Sequence, residues 1–506
     1  MKRTVANLAS GPGRPRTLLV GTALSVAQLE QMLGLIEPRP DVVGCLLPEA
    51  AVEAADLSTP VLGALNELDA WLVRGNFDQI LVSLPAAMGE LAGEVARTLQ
   101  RQGASWRFLP TLADQLAGRA GGRLPGLASP GGLTIDPAQL IDRQPRPLHE
   151  DSIRDALTGK RVLITGAGGS IGSEIARVVC RFRPARLLLV ERSENALFEI
   201  DREIARVFPK LPREAVLHDV THRSATAELL DRLEPEVIFH AAAHKHVPMM
   251  EDHPAQAVEN NFYGTRSIAD AADACGAERF VMISSDKAVN PSSVMGATKR
   301  LAELYVQHLS TKSATTFAMV RFGNVLGSAC SVLPIWADQI ARGGPVTVTH
   351  PEMSRYFMTI PEAAGLVLQA GALAGRDAGA GEAEVFLLDM GEPVKIVDLA
   401  RRFIRSQGFE PDVDVRVEFT GVRPGEKLLE VLAYDSEDMT PTPHASIHLW
   451  RTRPPSAARM QQILGTFERL RNRANDPAHP WRSVSGPSIV TAIRGAIPEM
   501  VAAEAG

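Results

Sequence analysis

Apolar residues in this chain fall into short runs, each followed by a polar or glycine-rich stretch and then by apolar positions at helical spacing. Residues 17–20, 42–47, 79–82 and 106–109 read as strands. Segment 26–36 reads as a helix, and so does 86–102, with Leu91, Val95 and Leu99 on one face. The alternation resumes at Lys160. Val162, Leu163 and Ile164 suit a buried parallel strand, and Ile171, Ile175, Ala176 and Val179 recur at helical spacing. Further strands are expected at 186–190, 217–220, 237–243 and 280–287. A helix is expected at 294–308, where Met295 and Lys299 share a face. Strands alternating with helices predict parallel sheets. Between the two stretches, glycine and proline punctuate 121–147. This divides the chain into an expected N-terminal domain at 1–120, a linker arm at 121–150 and a larger domain at 151–506.

The larger domain opens on Lys160-Arg-Val-Leu-Ile-Thr-Gly-Ala-Gly-Gly-Ser-Ile-Gly-Ser173. Gly166, Gly169 and Gly172 sit between a strand and a helix, the context a dinucleotide fingerprint requires. Such a turn brings bare backbone up to a pyrophosphate, and the helix start at Ser170 and Ile171 supplies free N–H groups. Glu191 ends the next strand and is placed to accept from ribose hydroxyls, which favours NAD; Arg192 beside it could receive a 2′-phosphate, which keeps NADP open. Asp219, at a third strand end, approaches the adenine, and Ala241 and Ala242 are small enough to let a cofactor lie close. The fold class is therefore α/β: a Rossmann-type doubly wound parallel sheet with a C-terminal substrate-binding region. A second, smaller Rossmann-like domain precedes it. The first turn of that domain, Gly21-Thr-Ala-Leu-Ser25, has one glycine where a fingerprint wants three, so no cofactor is expected there. Ser284, Ser285, Asp286 and Lys287 stand at the carboxyl end of a strand, where ligands bind in open α/β sheets. Arg355, Arg423 and Lys427 fall in polar loops and suit a diphosphate.

Composition narrows the class. A net charge of -6 with no long basic run argues against a general nucleic-acid binder. Cys45, Cys180, Cys275 and Cys330 lack metal-ligand spacing and read as thiols in a reducing compartment, with no metal expected. No apolar run approaches the roughly 20 residues of a membrane span, and the first residues lack the apolar core of a signal peptide. A cytoplasmic protein is expected, at most peripheral to the inner face of the membrane.

Five motifs then occur together and in order: Thr165-Gly-Ala-Gly-Gly-Ser-Ile-Gly172, Ala241-Ala-Ala-His-Lys-His-Val-Pro248, Ser285-Asp-Lys-Ala-Val-Asn-Pro291, Met295-Gly-Ala-Thr-Lys299 and Arg423-Pro-Gly-Glu-Lys427. Over about 140–432 the chain resembles the CapD-type polysaccharide-biosynthesis proteins, nucleotide-sugar 4,6-dehydratases of the extended short-chain dehydrogenase/reductase superfamily. The resemblance implies UDP-N-acetylglucosamine as substrate, tightly bound and recycled NAD or NADP, and a homo-oligomer. Larger members carry membrane spans before an extra nucleotide-binding-like domain; this chain is expected to keep the domain and lack the spans. The family usually has Ser-Arg-Gly-Ser where this chain has Ser328-Ala-Cys-Ser331, so Ala329 stands at an arginine position.

The resemblance also implies roles. Hydride leaves sugar C4, the C5 proton becomes acidic, water leaves from C6 and the hydride returns there. Asp286 would be the acid at the C6 oxygen and Lys287 the base at C5, with Ser285 or Ser284 on the sugar O4. A lysine base near neutral pH must fall from about 10.4 by roughly three units. Met295 stands where most of the superfamily has a tyrosine, and Tyr305 is too far along the helix to replace it. Lys299 would bind the nicotinamide ribose. The C4 proton is left to Asp286, water or the ribose hydroxyl. Lys245, Asn324, Arg355, Arg423 and Glu426 would contact the nucleotide sugar. Two other readings stay open: a 4-epimerase, and a non-catalytic regulatory protein that binds NAD or a nucleotide sugar.

Overall fold

In the computed structural model the apolar runs become strands of two sheets, one parallel throughout and one parallel except at one edge. It describes residues 15–35, 40–48, 57–75, 77–85, scattered positions between 88 and 111, 137–141, 143, 146–375, 383–407, 409–434, 439–473, 476 and 480–500. The chain divides into two compact units. One comprises 1–142 with Cys330–Val348 and Val397–Glu418; the other comprises Arg143–Ala329, Thr349–Ile396 and Phe419–Gly506.

The first unit holds β1 (Arg16–Gly21), β2 (Asp41–Leu47), β3 (Val61–Ala64), β4 (Gln79–Ser83) and β5 (Trp106–Phe108), in the order β3-β2-β1-β4-β5 with every pair parallel. Leu18, Val20, Ile80 and Val82 form a core on one face, and Leu19, Cys45 and Leu81 join Val26, Leu29 and Leu33 of the first helix on the other. That helix, Ala23–Leu33, is capped by its own chain: Thr22 Oγ1 accepts from Ser25 N at 3.3 Å, and Ser25 Oγ donates to Ser83 O across the sheet at 2.5 Å. Trp336 of the helix Val332–Ala341 is fully buried against Phe403 and donates to Thr347 O at 2.9 Å. Four of the five strands match the apolar runs. β3 and the helix Leu68–Arg74 were not anticipated, because a four-residue strand shows too little periodicity. Most of the expected helix at 86–102, and the glycine-proline stretch at 112–136, lie outside the described residues.

The second unit is built on β6 (Arg161–Thr165), β7 (Arg186–Glu191), β8 (Arg213–Leu217), β9 (Val237–His240), β10 (Arg279–Ile283), β11 (Thr316–Arg321), β12 (Ala383–Leu388), β13 (Met439–Pro441) and β14 (Ile447–Thr452). Their order is β13-β14-β12-β11-β10-β9-β6-β7-β8. β8 through β12 are parallel, while β14 and β13 close the far edge antiparallel. A strand covered on both faces must be apolar at every position, which is why Val162, Leu163 and Ile164 are all fully buried. The helices Glu150–Leu157, Ser170–Arg181, Glu194–Val207 and Ile360–Leu373 cover one face. Arg223–Leu233, Gly264–Ala274 and Val294–Ser310 cover the other, with Ala457–Arg471 and Gly486–Ala496 packed onto them. β6 is flanked by β7 on one side and β9 on the other, so the winding reverses there and opens a crevice at the strand ends.

Two expectations need correction. The third strand, expected at 217–220, is Arg213–Leu217. At the sheet edge its polar positions mask the strand, and Asp219 lies two residues past its end. Arg355 is not in an open loop: it belongs to the short strand Ser354–Arg355, paired with Val394–Lys395, and is buried. Among the described residues no helix is long and apolar enough to cross a membrane.

Candidate active site

The crevice begins with a steric demand. Gly166 has φ +64°, and a Cβ there would stand 2.8 Å from Ala242 N and 2.9 Å from Ala241 C. A Cβ on Gly172 would stand 2.1 Å from Gly166 O. Only glycine lets β6, the helix start and the Ala241–Ala242 wall come this close. The helix Ser170–Arg181, with Gly169 at its N-cap, has no side-chain cap, so the amides around Ser170 and Ile171 remain for an anion. By contrast Ser193 and Ser293 cap the helices that follow them.

Glu191 is tied down beside this cradle. Its carboxylate accepts from Gly168 N at 3.2 Å, Arg192 N at 2.9 Å and Ser193 N at 3.0 Å. The Arg192 guanidinium lies 3.2 Å from Asn260 Oδ1 and 4.0 Å from Asp219. Burial pushes the Asp219 carboxyl up, but hydrogen bonds from Thr221 and the charge of Arg192 more than offset this and hold it below its ordinary range. Asn260 and Asn261 stand in a π-helical segment, Val258–Tyr263, whose wide turn buries both. Asn261 fastens the loop after β9, accepting from His244 N at 2.8 Å and donating to His244 O at 3.0 Å. Beneath them His240 is hydrogen-bonded to Thr165 Oγ1 at 2.7 Å and Thr265 Oγ1 at 3.0 Å; burial, then Lys299, pushes it down to about 3, so it is a neutral spacer. The sequence reading missed Asn260, Asn261 and His240; the paired asparagines ahead of Gly264 were the one available signal. The cradle, the uncapped helix and the acid ending β7 fit a dinucleotide. Gly172→Ala is expected to weaken dinucleotide binding about 10- to 100-fold, the equivalent of about 1–3 kcal/mol of overpacking. Calorimetric titration would read this, and an affinity within twofold of the parent would rule it out.

At the next strand end, Ser284 N and Asp286 N donate to Val320 O at 2.8 Å and Phe322 O at 3.1 Å, which extends the β10–β11 pairing past the strand. A single tight turn, Asp286–Ala288, follows. Asp286 is fully buried. Its Oδ1 accepts from Ser285 Oγ at 2.9 Å and Lys287 Nζ at 3.0 Å, while its buried Oδ2 has no hydrogen-bond partner among the described residues. Lys287 also donates to Asn324 Oδ1 at 2.9 Å.

The helix Val294–Ser310 sits directly on this turn, since a Cβ on Gly296 would stand 2.1 Å from Lys287 O. Ser293 Oγ accepts from Gly296 N at 3.1 Å, and the Glu251 carboxylate from Val294 N at 2.6 Å, fixing the helix start. Met295 and Lys299 are buried on it. Lys299 donates to Ile283 O at 2.6 Å, and burial, partly opposed by Glu303, lowers it to about 8. Ser284 turns away, donating to Glu303 Oε1 at 2.6 Å, whereas Ser285 stays on Asp286. The Tyr305 hydroxyl is bonded to Asp270.

The nucleotide-sugar candidates divide. Lys245 Nζ donates to Ala329 O at 2.8 Å, and Ala329 N donates to Ser170 Oγ at 2.9 Å. The backbone at the substituted position thus lies against the cradle. The Arg423–Lys427 turn is seated on 289–293: Ser292 Oγ donates to Gly425 O and Lys427 Nζ to Val289 O, both at 3.0 Å. Arg423 is exposed and ion-paired with Glu426 at 2.7 Å. Arg355 donates to Ser354 O at 2.8 Å and Leu428 O at 3.1 Å, and its guanidinium is 4.0 Å from Glu430. Glu430, also buried, was missed; a carboxylate three residues past Lys427 was its only trace in the sequence.

A glycine cradle at the switch point, and beside it a strand-end Asp-Lys pair under a Met-x-x-x-Lys helix, define an extended short-chain dehydrogenase/reductase. The chain belongs to the polysaccharide biosynthesis protein family, whose model matches residues 162–452. It is 42% identical over 432 residues to the probable polysaccharide biosynthesis protein EpsC of Bacillus subtilis, covering 83% of this chain and 69% of that one. To the capsular polysaccharide biosynthesis protein CapD of Staphylococcus aureus it is 43% identical over 379 residues, 74% of this chain and 61% of that protein. A UDP-N-acetylglucosamine 4,6-dehydratase (inverting) of Campylobacter jejuni is 29% identical over 279 residues, 54% and 77% of the two chains. Among solved structures, Pen from Bacillus thuringiensis superposes with a TM-score of 0.52 at 31% identity, covering 60% of this chain and 90% of that one.

Proposed function

We propose that this chain is a nucleotide-sugar 4,6-dehydratase that converts UDP-N-acetylglucosamine, or a close UDP-hexosamine, to its 4-keto-6-deoxy form for surface polysaccharide synthesis. It would work in the cytoplasm with tightly bound NAD or NADP. The observation that carries this reading is the Asp286–Lys287 pair, one hydrogen bond from each other, with the second Asp286 oxygen unpartnered among the described residues.

The glycines at 166, 169 and 172, with Glu191 and Lys299, would hold the dinucleotide, which when bound accepts a hydride from sugar C4 and returns it to C6. The protein's part is proton management. Transfer of the Lys287 proton to Asp286 across their 3.0 Å hydrogen bond leaves an amine and a carboxylic acid. The amine takes the C5 proton. The acid gives its proton to the C6 oxygen, water leaves, and the ammonium and carboxylate are restored. As the hydride returns to C6, C5 is reprotonated from solvent, and the C4 hydroxyl proton released on oxidation passes to solvent, so the pair begins and ends in one state. Met295 carries no transferable proton and acts as apolar wall. Lys299 contributes positive charge, Lys245 and the Arg423–Glu426 turn would face the nucleotide diphosphate, and Asn324 holds Lys287 in line.

Proton NMR of the protein with UDP-N-acetylglucosamine in deuterated water tests this. A new C6 methyl signal with deuterium at C5 is expected. Inversion at C4 with no methyl signal would make the chain a 4-epimerase. With the dinucleotide confirmed as bound, an unchanged spectrum across UDP-hexoses would make it a binding protein.

A further inference from the structure

Lys287 has three N–H groups. Asp286 Oδ1 and Asn324 Oδ1 take two of them. The next acceptor is Glu430 Oε1, at 3.8 Å. Glu430 is only 4% exposed, and its Oε2 has no hydrogen-bond partner among the described residues. Two further cations face it at similar range: Lys427 Nζ at 3.9 Å and Arg355 Nη2 at 4.0 Å. None of the three is in hydrogen-bond contact, unlike the 2.8 Å Arg321–Glu303 pair in the same unit. A buried carboxylate set among three cations, and locked to none, acts on them by charge, which low local polarity makes strong.

We propose that Glu430 is a positioning residue for Lys287: its buried carboxylate keeps the Lys287 side chain charged and turned inward until Asp286 takes the proton. This rests on the reading of Lys287 as the base. Asp286 and Asn324 contact Lys287 directly; Lys427 and Arg355 share Glu430 with it. Lys299, on the overlying helix, is bonded to Ile283 O and is opposed by Glu303. The Lys427 amine bears the mark of the cluster: burial lowers it, Glu430 and Asp286 raise it, and Lys287 and Arg355 lower it. With Glu430 absent, Lys287 would keep one carboxylate and still feel two neighbouring cations, so its amine would lose its proton at lower pH.

The test is pulse acetylation of the full chain with acetic anhydride across a pH series, with acetylated Lys287 quantified by mass spectrometry. It needs no turnover. Glu430→Gln is expected to move the Lys287 midpoint down by about one pH unit, raising its labelling below the midpoint about tenfold. Glu430→Asp, which keeps the charge, is expected to restore most of the shift. An unmoved midpoint in Glu430→Gln would overturn the proposal. Lys427→Met serves as a second arm that leaves Glu430 in place; it is expected to raise the midpoint, and a midpoint that does not rise would equally overturn it. Product formation by the parent protein is followed in parallel, so failure of the dehydratase reading shows there, separately from the labelling.

Discussion

Asp286→Asn and Lys287→Ala are each expected to lower formation of the 4-keto-6-deoxy sugar by about 10³-fold, within the range typical of a lost general acid or base. Asparagine keeps the shape of the aspartate and can still accept from Ser285 and Lys287, but it cannot take a proton from one and hand it to the C6 oxygen. Alanine at 287 removes the amine altogether. Because the two residues pass one proton between them, the double variant is expected to be no slower than the slower single variant. Dinucleotide affinity is expected to stay within about twofold, since the cradle lies at another strand end and additivity holds between distant groups. Single-turnover NMR in deuterated water would measure both the C5 exchange and the C6 methyl. The proton relay would be refuted if Lys287→Ala kept a tenth or more of the parent rate. Loss of C6 elimination with C5 exchange intact in Asp286→Asn would show that Lys287 unloads its proton elsewhere.

These residues could be found in the sequence because each answers a local demand. Gly166 and Gly172 are required by one positive φ and one 2.1 Å approach, both within a single turn. Asp286 and Lys287 follow an apolar strand, and strand ends are where open sheets bind. The paired layout of the two sheets was readable for the same reason, since an apolar run with a helical stretch behind it is a local signal. What escaped depends on packing between distant segments. Glu430 gains its character from Lys287 and Arg355, far away in the chain. Asn260 is turned inward by a π-helical turn with no periodic signature. Arg355 reads as a loop cation because a two-residue strand has no period; its pairing with Val394 and its contacts with Leu428 and Glu430 come from distant segments. The strand Arg213–Leu217 was placed too late because an edge strand need not be apolar throughout. The assignment of Ser284 to the sugar also meets a competing contact, its 2.6 Å bond to Glu303.

That contact leads to the largest expected effect on stability. Glu303 is fully buried and accepts hydrogen bonds from Ser284 Oγ at 2.6 Å, Arg321 Nε and Nη2 at 2.8 Å each, and Arg300 Nη1 at 3.0 Å. Arg321 is itself fully buried, its guanidinium 5.2 Å from the Trp450 ring centre and 5.7 Å from that of Tyr434. Glu303→Ala would leave that charge uncompensated, at a cost of about 3–5 kcal/mol. Such a loss corresponds to a melting temperature roughly 4–7 °C lower. Burial alone would raise the Glu303 carboxyl, but Arg321, Arg300 and the hydrogen bonds more than offset it and bring it down from 4.5 to about 2. A depressed carboxyl stabilises the fold above its unfolded value, so this contribution is complete above about pH 4.5 and is lost as the pH falls toward 2. Glu303→Gln is therefore expected to flatten the stability profile between those limits, while Glu303→Leu combined with Arg321→Met recovers part of the loss by removing both charges. Differential scanning calorimetry from pH 2 to 7 would read all three. A fall of less than 2 °C in Glu303→Ala at pH 7 would mean that water or a rearranged Arg321 satisfies the vacated site. The cluster also touches the chemistry, because Glu303 lies four residues beyond Lys299 on one helix and binds the serine that precedes Ser285 and Asp286. Glu303→Ala should thus slow turnover even at temperatures where the fold survives, by letting β10 and the overlying helix shift against each other.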